Sequence, residues 1–187
     1  MYILLAILCY IVYLLVWVIG SLYNLFKGPR VARKGFEPKW SNVVMNLLIG
    51  VTVLVVWWNP RLLVMTHFPA PVQFAGSIIL VLGTIFAVWA RIALGRMWSS
   101  SVKLKIGHEL RTDGPYRIVR HPIYVGLLGM VVGSVLIFGL ILVPVLLLAI
   151  VAIVIKIRTE EKLMVATFGT KYLEYRKRVP MLDPRAK

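Results

Sequence analysis

The stretch Gly114–Gly126, GPYRIVRHPIYVG, gathers two arginines, a histidine and two tyrosines immediately before a long apolar run. Asp113-Gly114-Pro115 is a turn signal. Pro122 suits the first position of a helix, where a missing N–H costs nothing. The amides that follow it would point out of the helix start and could hold an anionic group. Tyr116 and Tyr124 offer ring faces to a cation. A second cluster, KIRTEE at Lys156–Glu161, carries Glu160 and Glu161, two of only seven acidic residues. Both clusters also have a plain structural reading. Arg117 and Arg120 would anchor a span at the membrane surface, the tyrosines would form an interfacial belt, and the glutamates would neutralise Arg117, Arg120 or Arg158. His67, His108 and His121 are far apart, and no Cys or His pair has metal-ligand spacing, so no metal site is expected. GxGxxG, P-loop and GxSxG patterns do not occur, and no strand–helix alternation suggests a Rossmann domain.

The elements that must position these clusters are apolar. Of the 187 residues, 60% are hydrophobic, concentrated in blocks, and this predicts an all-α integral membrane protein. Five transmembrane helices are expected at about 2–26, 41–58, 71–94, 122–138 and 141–157. The last two come from one block, 122–155. As a single helix it would be about 50 Å long, well beyond the roughly 30 Å hydrocarbon core. Gly133, Gly139 and Pro144 are its breakers, and a turn near 138–142 would make a tight helical hairpin. The N-terminal block lacks a basic leading region and a small-residue cleavage site, so it reads as a retained span.

The charges orient the spans. All of the 22 Lys and Arg residues except Arg61 fall in alternate loops or in the C-terminal segment. This predicts the N-terminus outside and both polar clusters cytoplasmic. The same distribution explains the net charge of +15 without nucleic acid. The bilayer is the expected partner. The connecting segment 95–121 and the C-terminal segment from residue 158 are too long for simple turns. Met164, Phe168, Tyr172 and Tyr175 recur at helical spacing, so the C-terminal segment reads as a helix ended by Pro180.

The segment GHELRTDGPYRIVRHPIYVG, followed by RTEEKLMVATFGTKYLEYRKRVP, resembles the isoprenylcysteine carboxyl methyltransferase family of integral membrane enzymes. The match runs from about His108 to Pro180: an H-x-L stretch, a GPY turn, RHP-x-Y, the EE pair and FG-x-x-Y-x-x-Y, in order. The chain looks like a short, five-span prokaryotic type, one methyltransferase domain with its cofactor region at about 101–124 and 156–180. The resemblance implies S-adenosylmethionine-dependent methyl transfer to a lipophilic acceptor. It places the cofactor on His108, Glu109, Leu110, Arg111, Tyr116, His121, Pro122, Ile123, Tyr124 and Glu160. Eukaryotic members carry a substrate arginine four residues before that glutamate, where this chain has Lys156. Lysine lacks the planar two-pronged donor that clamps a carboxylate, and Arg158 is the nearby guanidinium. Lys156 and Arg158 are the candidate substrate-positioning residues. Carboxyl O-methylation of a lipidated cysteine-like group leads; a phenolic lipid, a thiol and a phospholipid amine are alternative acceptors. Related membrane folds include nicotinamide-dependent sterol reductases, and a scaffold or transporter is the non-enzymatic alternative.

Overall fold

A computed structural model of the chain describes residues 1–27, 29, 31–34, 68–98, 103–105, 107 and 109–184. The expected span at 41–58, His67 and His108 lie outside these residues. Helix α1, Tyr2–Lys27, is apolar around its whole circumference and buries only Ala6 and Cys9 within the described residues. Its outward face, with Leu4, Leu8, Leu15 and Ile19 exposed, suits lipid. Helix α2, Ala70–Leu94, starts at a proline-marked end and stops at Gly95, whose φ of 51° is the left-handed conformation that glycine tolerates. Among the described residues three helical segments, Tyr2–Lys27, Ala70–Met97 and Leu140–Phe168, are long and apolar enough to cross a membrane, and Pro122–Phe138 is a shorter apolar helix.

Helix α3, Pro122–Phe138, ends at Gly139, with φ 96°. One 3-10 turn, Leu140–Leu142, then leads into α4, Val143–Phe168. The chain therefore reverses direction within four residues. The hairpin is not the main packing of α3, however. Helix α3 lies chiefly against α2, and glycine is the reason. A Cβ added at Gly83 would meet the Gly126 carbonyl oxygen at 2.8 Å, and one at Gly133 would meet that of Gly76 at 2.6 Å. Gly76 and Gly83, like Gly126 and Gly133, are seven residues apart, so each pair lies along one face of its helix. With lipid as solvent, such close backbone approach replaces hydrophobic driving force as the source of helix association. Ser77, Thr84, Ala87 and Ala90 continue the small face of α2, and all are buried.

Two features depart from the sequence expectation. The single helix expected after residue 158 is two. Helix α4 carries straight on from the apolar segment to Phe168, Gly169 breaks it at φ 52°, and α5 spans Thr170–Arg178. The left-handed glycine ends the helix before Pro180 can. The structure is also not purely helical: β1, Val31–Lys34, pairs antiparallel with β2, Lys103–Lys105. This ribbon ties the segment after α1 to the segment after α2. Consistent with it, the Asn24 side-chain amide donates to the Trp98 carbonyl at 3.1 Å, while Ala6 and Cys9 pack with Leu80. Helices α1 and α2 thus run in the same direction.

Candidate active site

The site forms where α3 begins, α4 leaves its apolar segment and α5 folds back. Asp113 is extended, and Gly114–Arg117 form a 3-10 turn that buries Pro115 and Tyr116. Arg120 and His121 follow, 8% exposed each. Their backbone N–H groups donate to the Pro180 and Met181 carbonyls at 2.9 and 3.2 Å. The C-terminal segment is thereby stitched along the entry to α3, and the Tyr175 hydroxyl adds a 2.6 Å bond to the Tyr116 carbonyl. Tyr172, Tyr175 and Val179 form the apolar backing, with Leu110 and Phe168 packed against them.

The two neighbouring glutamates of α4 divide their tasks, because adjacent residues point about 100° apart on a helix. Glu161 is buried. Its Oε1 receives Arg120 Nε and Nη2, each at 2.8 Å, and lies 3.4 Å from His121 Nε2. Glu160 faces the cavity. Its Oε1 accepts the Tyr124 hydroxyl at 2.5 Å, and its Oε2 lies 3.5 Å from His121 Nδ1. The imidazole thus bridges the two carboxylates and stacks near Tyr124, with ring centroids 5.9 Å apart. Burial alone would lower the His121 pKa, but the hydrogen bonds and charges of Glu160 and Glu161 outweigh it and raise it. Burial would raise the Glu161 pKa, yet its partners His121 and Arg120 hold it down to about 2. Both groups lie outside the expected spans, His121 just before α3 and Glu161 beyond Ile157 on α4. Burial, reinforced by the Glu160 charge, pushes the Tyr116 phenol up, so that it stays neutral.

Around these groups lies a cavity of about 260 Å³. Of the residues singled out in the sequence, Leu110, Arg111, Tyr116, His121, Pro122, Ile123, Tyr124, Lys156 and Glu160 line it. Glu109 is exposed and does not line it. Arg158, two positions after Lys156, is exposed and does not line the cavity either, in keeping with the helical period. The anion site expected at the start of α3 is also trimmed, since the Tyr124 and Val125 N–H groups both donate to the His121 carbonyl. Arg111 lies at the rim, where Nε donates to the Ala93 carbonyl at 3.0 Å and lies 3.5 Å from Asp113.

Residue types alone did not disclose the rest of the lining. Tyr13 and Trp17 come from α1, Met97 and Trp98 from the 3-10 turn after α2, Leu127 from α3, and Tyr172 and Tyr175 from α5. The α5 tyrosines were visible in the helical spacing and in the FG-x-x-Y-x-x-Y motif, but neither gave them a place in the cavity. No signal marked Tyr13 or Trp17 among the other large apolar residues of the first block.

Apolar helices that converge on a buried cluster of arginine, histidine and two carboxylates define an integral membrane protein with a polar site at the end of its spans. A family model described as the isoprenylcysteine carboxyl methyltransferase (ICMT) family matches residues 76–166. The protein-S-isoprenylcysteine O-methyltransferase of Schizosaccharomyces pombe is 38% identical over 185 residues, covering 86% of this chain and 78% of that protein. The chain belongs to the isoprenylcysteine carboxyl methyltransferase family. Methanethiol S-methyltransferase 2 of Bradyrhizobium diazoefficiens is also 38% identical, over 86 residues that make up 42% of this chain and 30% of that one. The structure of a eukaryotic intramembrane Ras methyltransferase, ICMT, shares the fold, with a TM-score of 0.60 and 22% identity over 80% of this chain. This chain spans about half of that one, 54%.

Proposed function

We propose that the chain is an S-adenosylmethionine-dependent methyltransferase that modifies a membrane-soluble acceptor at the cytoplasmic end of its spans. The observation that carries this reading is the meeting of His121 and Glu160 in one cavity, 3.5 Å apart, although 39 positions of mostly apolar sequence separate them. The lining fits the cofactor chemically. Glu160 supplies carboxylate oxygens for hydroxyl or ammonium donors, the Tyr116 and Tyr124 rings supply π faces for a sulfonium, and Leu110 and Ile123 supply apolar surface. When bound, the cofactor supplies an electrophilic methyl group.

The protein's part is orientation. Fixing an acceptor in line with the transferable methyl can contribute on the order of 7–11 kcal/mol. Tyr124 holds Glu160, His121 bridges Glu160 to Glu161, and Arg120 locks Glu161, so the cavity carboxylate is set by a chain of bonds that ends in a buried ion pair. Lys156 lines the same cavity and supplies a cation for an anionic acceptor. The leading acceptor is the carboxyl group of a lipidated cysteine-like compound. It is already ionised at neutral pH and needs no base. The likeness to a methanethiol S-methyltransferase favours a thiol as the second reading. A thiol must lose its proton, and the Glu160 carboxylate in the cavity is placed to take it.

The same reading has five spans, the N-terminus outside and the cofactor site cytoplasmic. The shared direction of α1 and α2 supports this reading. Transfer of labelled methyl from S-adenosylmethionine into a total membrane lipid extract, followed by mass analysis, tests the proposal. A labelled lipophilic product is expected, and no incorporation together with no S-adenosylhomocysteine binding would overturn it.

A further inference from the structure

The two halves of the cavity have different origins in the chain. The polar half, with His121, Tyr124 and Glu160, lies wholly within the segment that matches the family. The other half is aromatic: Tyr13 and Trp17 come from α1, outside that segment, and Trp98 from within it. Tyr13 and Trp17 stack with centroids 4.0 Å apart, and Trp98 meets Trp17 edge-on at 6.2 Å. The names of two relatives give different acceptors, isoprenylcysteine in one and methanethiol in another. The polar half suits the cofactor, which leaves the aromatic half of the cavity for an apolar acceptor.

Trp98 is fixed from behind. The Arg91 guanidinium carbon lies 4.1 Å from the Trp98 ring centroid, and Arg91 Nη1 donates to the Gly95 carbonyl at 3.2 Å. Arg91 is only 4% exposed, and its Nε and Nη2 have no hydrogen-bond partner among the described residues. Two guanidinium nitrogens buried without acceptors are costly, and the indole face is the electron-rich surface that the cation meets. Gly20 on α1 makes room for the guanidinium: a Cβ there would run into Arg91 Nη2. Asn24, one turn further along α1, holds the Trp98 carbonyl.

We infer that Trp98 is a specificity-determining residue for an apolar methyl acceptor, which docks against the Tyr13–Trp17–Trp98 wall, and that Arg91 is the positioning residue that sets the Trp98 ring. The inference rests on the methyltransferase reading. The acceptor's apolar body lies along the wall, and its nucleophilic end faces Lys156 and Glu160.

The test uses the full chain in detergent, with S-farnesylated N-acetylcysteine and octanethiol as acceptor probes and S-adenosylhomocysteine affinity as a separate readout. Trp98→Ala is expected to raise the KM of whichever probe is methylated about tenfold or more with a smaller change in kcat, and Trp98→Phe to recover most of it. Arg91→Met and Gly20→Ala, which remove or displace the cation without altering the wall itself, are expected to raise KM about three- to tenfold, with Arg91→Lys closer to the parent. S-adenosylhomocysteine affinity should stay within about twofold throughout. An unchanged acceptor KM in Trp98→Ala, or a parallel loss of S-adenosylhomocysteine affinity, overturns the inference. So does a parent protein that binds S-adenosylhomocysteine but methylates neither probe. A parent that does not bind S-adenosylhomocysteine overturns the proposed function instead.

Discussion

Arg120 places two nitrogens 2.8 Å from a single oxygen of Glu161 and turns its third, Nη1, to the carbonyls of Arg176 and Val179 at 3.1 and 2.5 Å. One side chain thereby joins the entry of α3, the polar end of α4 and the last turn of α5. The α5 carbonyls are those a helix leaves unpaired at its C-terminus, and a cation there also meets the negative end of the helix dipole.

Breaking this clamp should be costly. Arg120 and Glu161 have side-chain exposures of 6% and 11%, so removing either leaves a buried charge without its partner. Arg120→Met and Glu161→Gln are each expected to destabilise the protein by about 3–5 kcal/mol. Both should also expose α5 to limited proteolysis near Gly169. Thermal unfolding in detergent with mass analysis of the cleavage fragments reads both effects, and wild-type behaviour in both variants would show that the clamp is dispensable.

The same cluster sets a pH window. Glu161 is depressed from its ordinary 4.5 to about 2, so its contribution to stability is present above pH 4.5 and lost as pH falls towards 2. His121 is raised from its ordinary 6.5, so its contribution is complete below pH 6.5 and lost as pH rises through its folded-state value. Stability should therefore be greatest between pH 4.5 and 6.5 and decline on both sides. His121→Gln is expected to flatten the alkaline decline and leave the acidic one. A melting-temperature series across pH for both proteins checks this.

The glycine seam predicts a different kind of damage. At Gly126 an added Cβ would lie 2.6 Å from the Ala87 nitrogen and 2.7 Å from the Gly83 carbonyl oxygen, both backbone atoms that cannot swing aside. Gly126→Ala and Gly83→Ala should each cost about 1–3 kcal/mol by forcing α2 and α3 apart. Gly95→Ala meets no atom within 4 Å and would suffer only from its positive φ. Equal stability losses in all three variants, measured by denaturation in detergent, would mean that backbone conformation and not helix contact is responsible.

Lys156, Arg158 and Glu160 are three polar positions on one helix with different outlooks. Glu160→Ala should weaken S-adenosylhomocysteine binding about tenfold or more, since it removes a hydrogen-bonding group within the cavity, while the protein remains membrane-inserted. Tyr116→Ala should do the same. Lys156→Ala should raise the acceptor KM, and Arg158→Ala should be silent in both assays because it faces away. Calorimetry and initial rates on the four variants separate these outcomes; an Arg158 effect as large as that of Lys156 would contradict the assigned faces.

The amino-acid sequence by itself determined the apolar segments, the reversal between Phe138 and Val143 and the two polar clusters. These are local properties: hydrophobic length, the conformational demands of Gly139 and Pro144, and charges that cannot lie within lipid. The break at Gly169 was equally local but was masked by the helical spacing that continues from Met164 to Tyr175. The matched motifs made most of the polar half of the cavity legible.

The resemblance places Glu160 at the cofactor, but only the tertiary structure decided what Glu161 does: its burial against Arg120 and His121 depends on the rotation of α4 about its axis. It also decided that α3 lies chiefly on α2, where the fit of two glycine faces outweighs nearness in the chain. The aromatic half was out of reach for the same reason. Tyr13, Trp17 and Trp98 meet through helix packing across more than 70 positions, and a residue that packs against a distant partner carries no local signature of it.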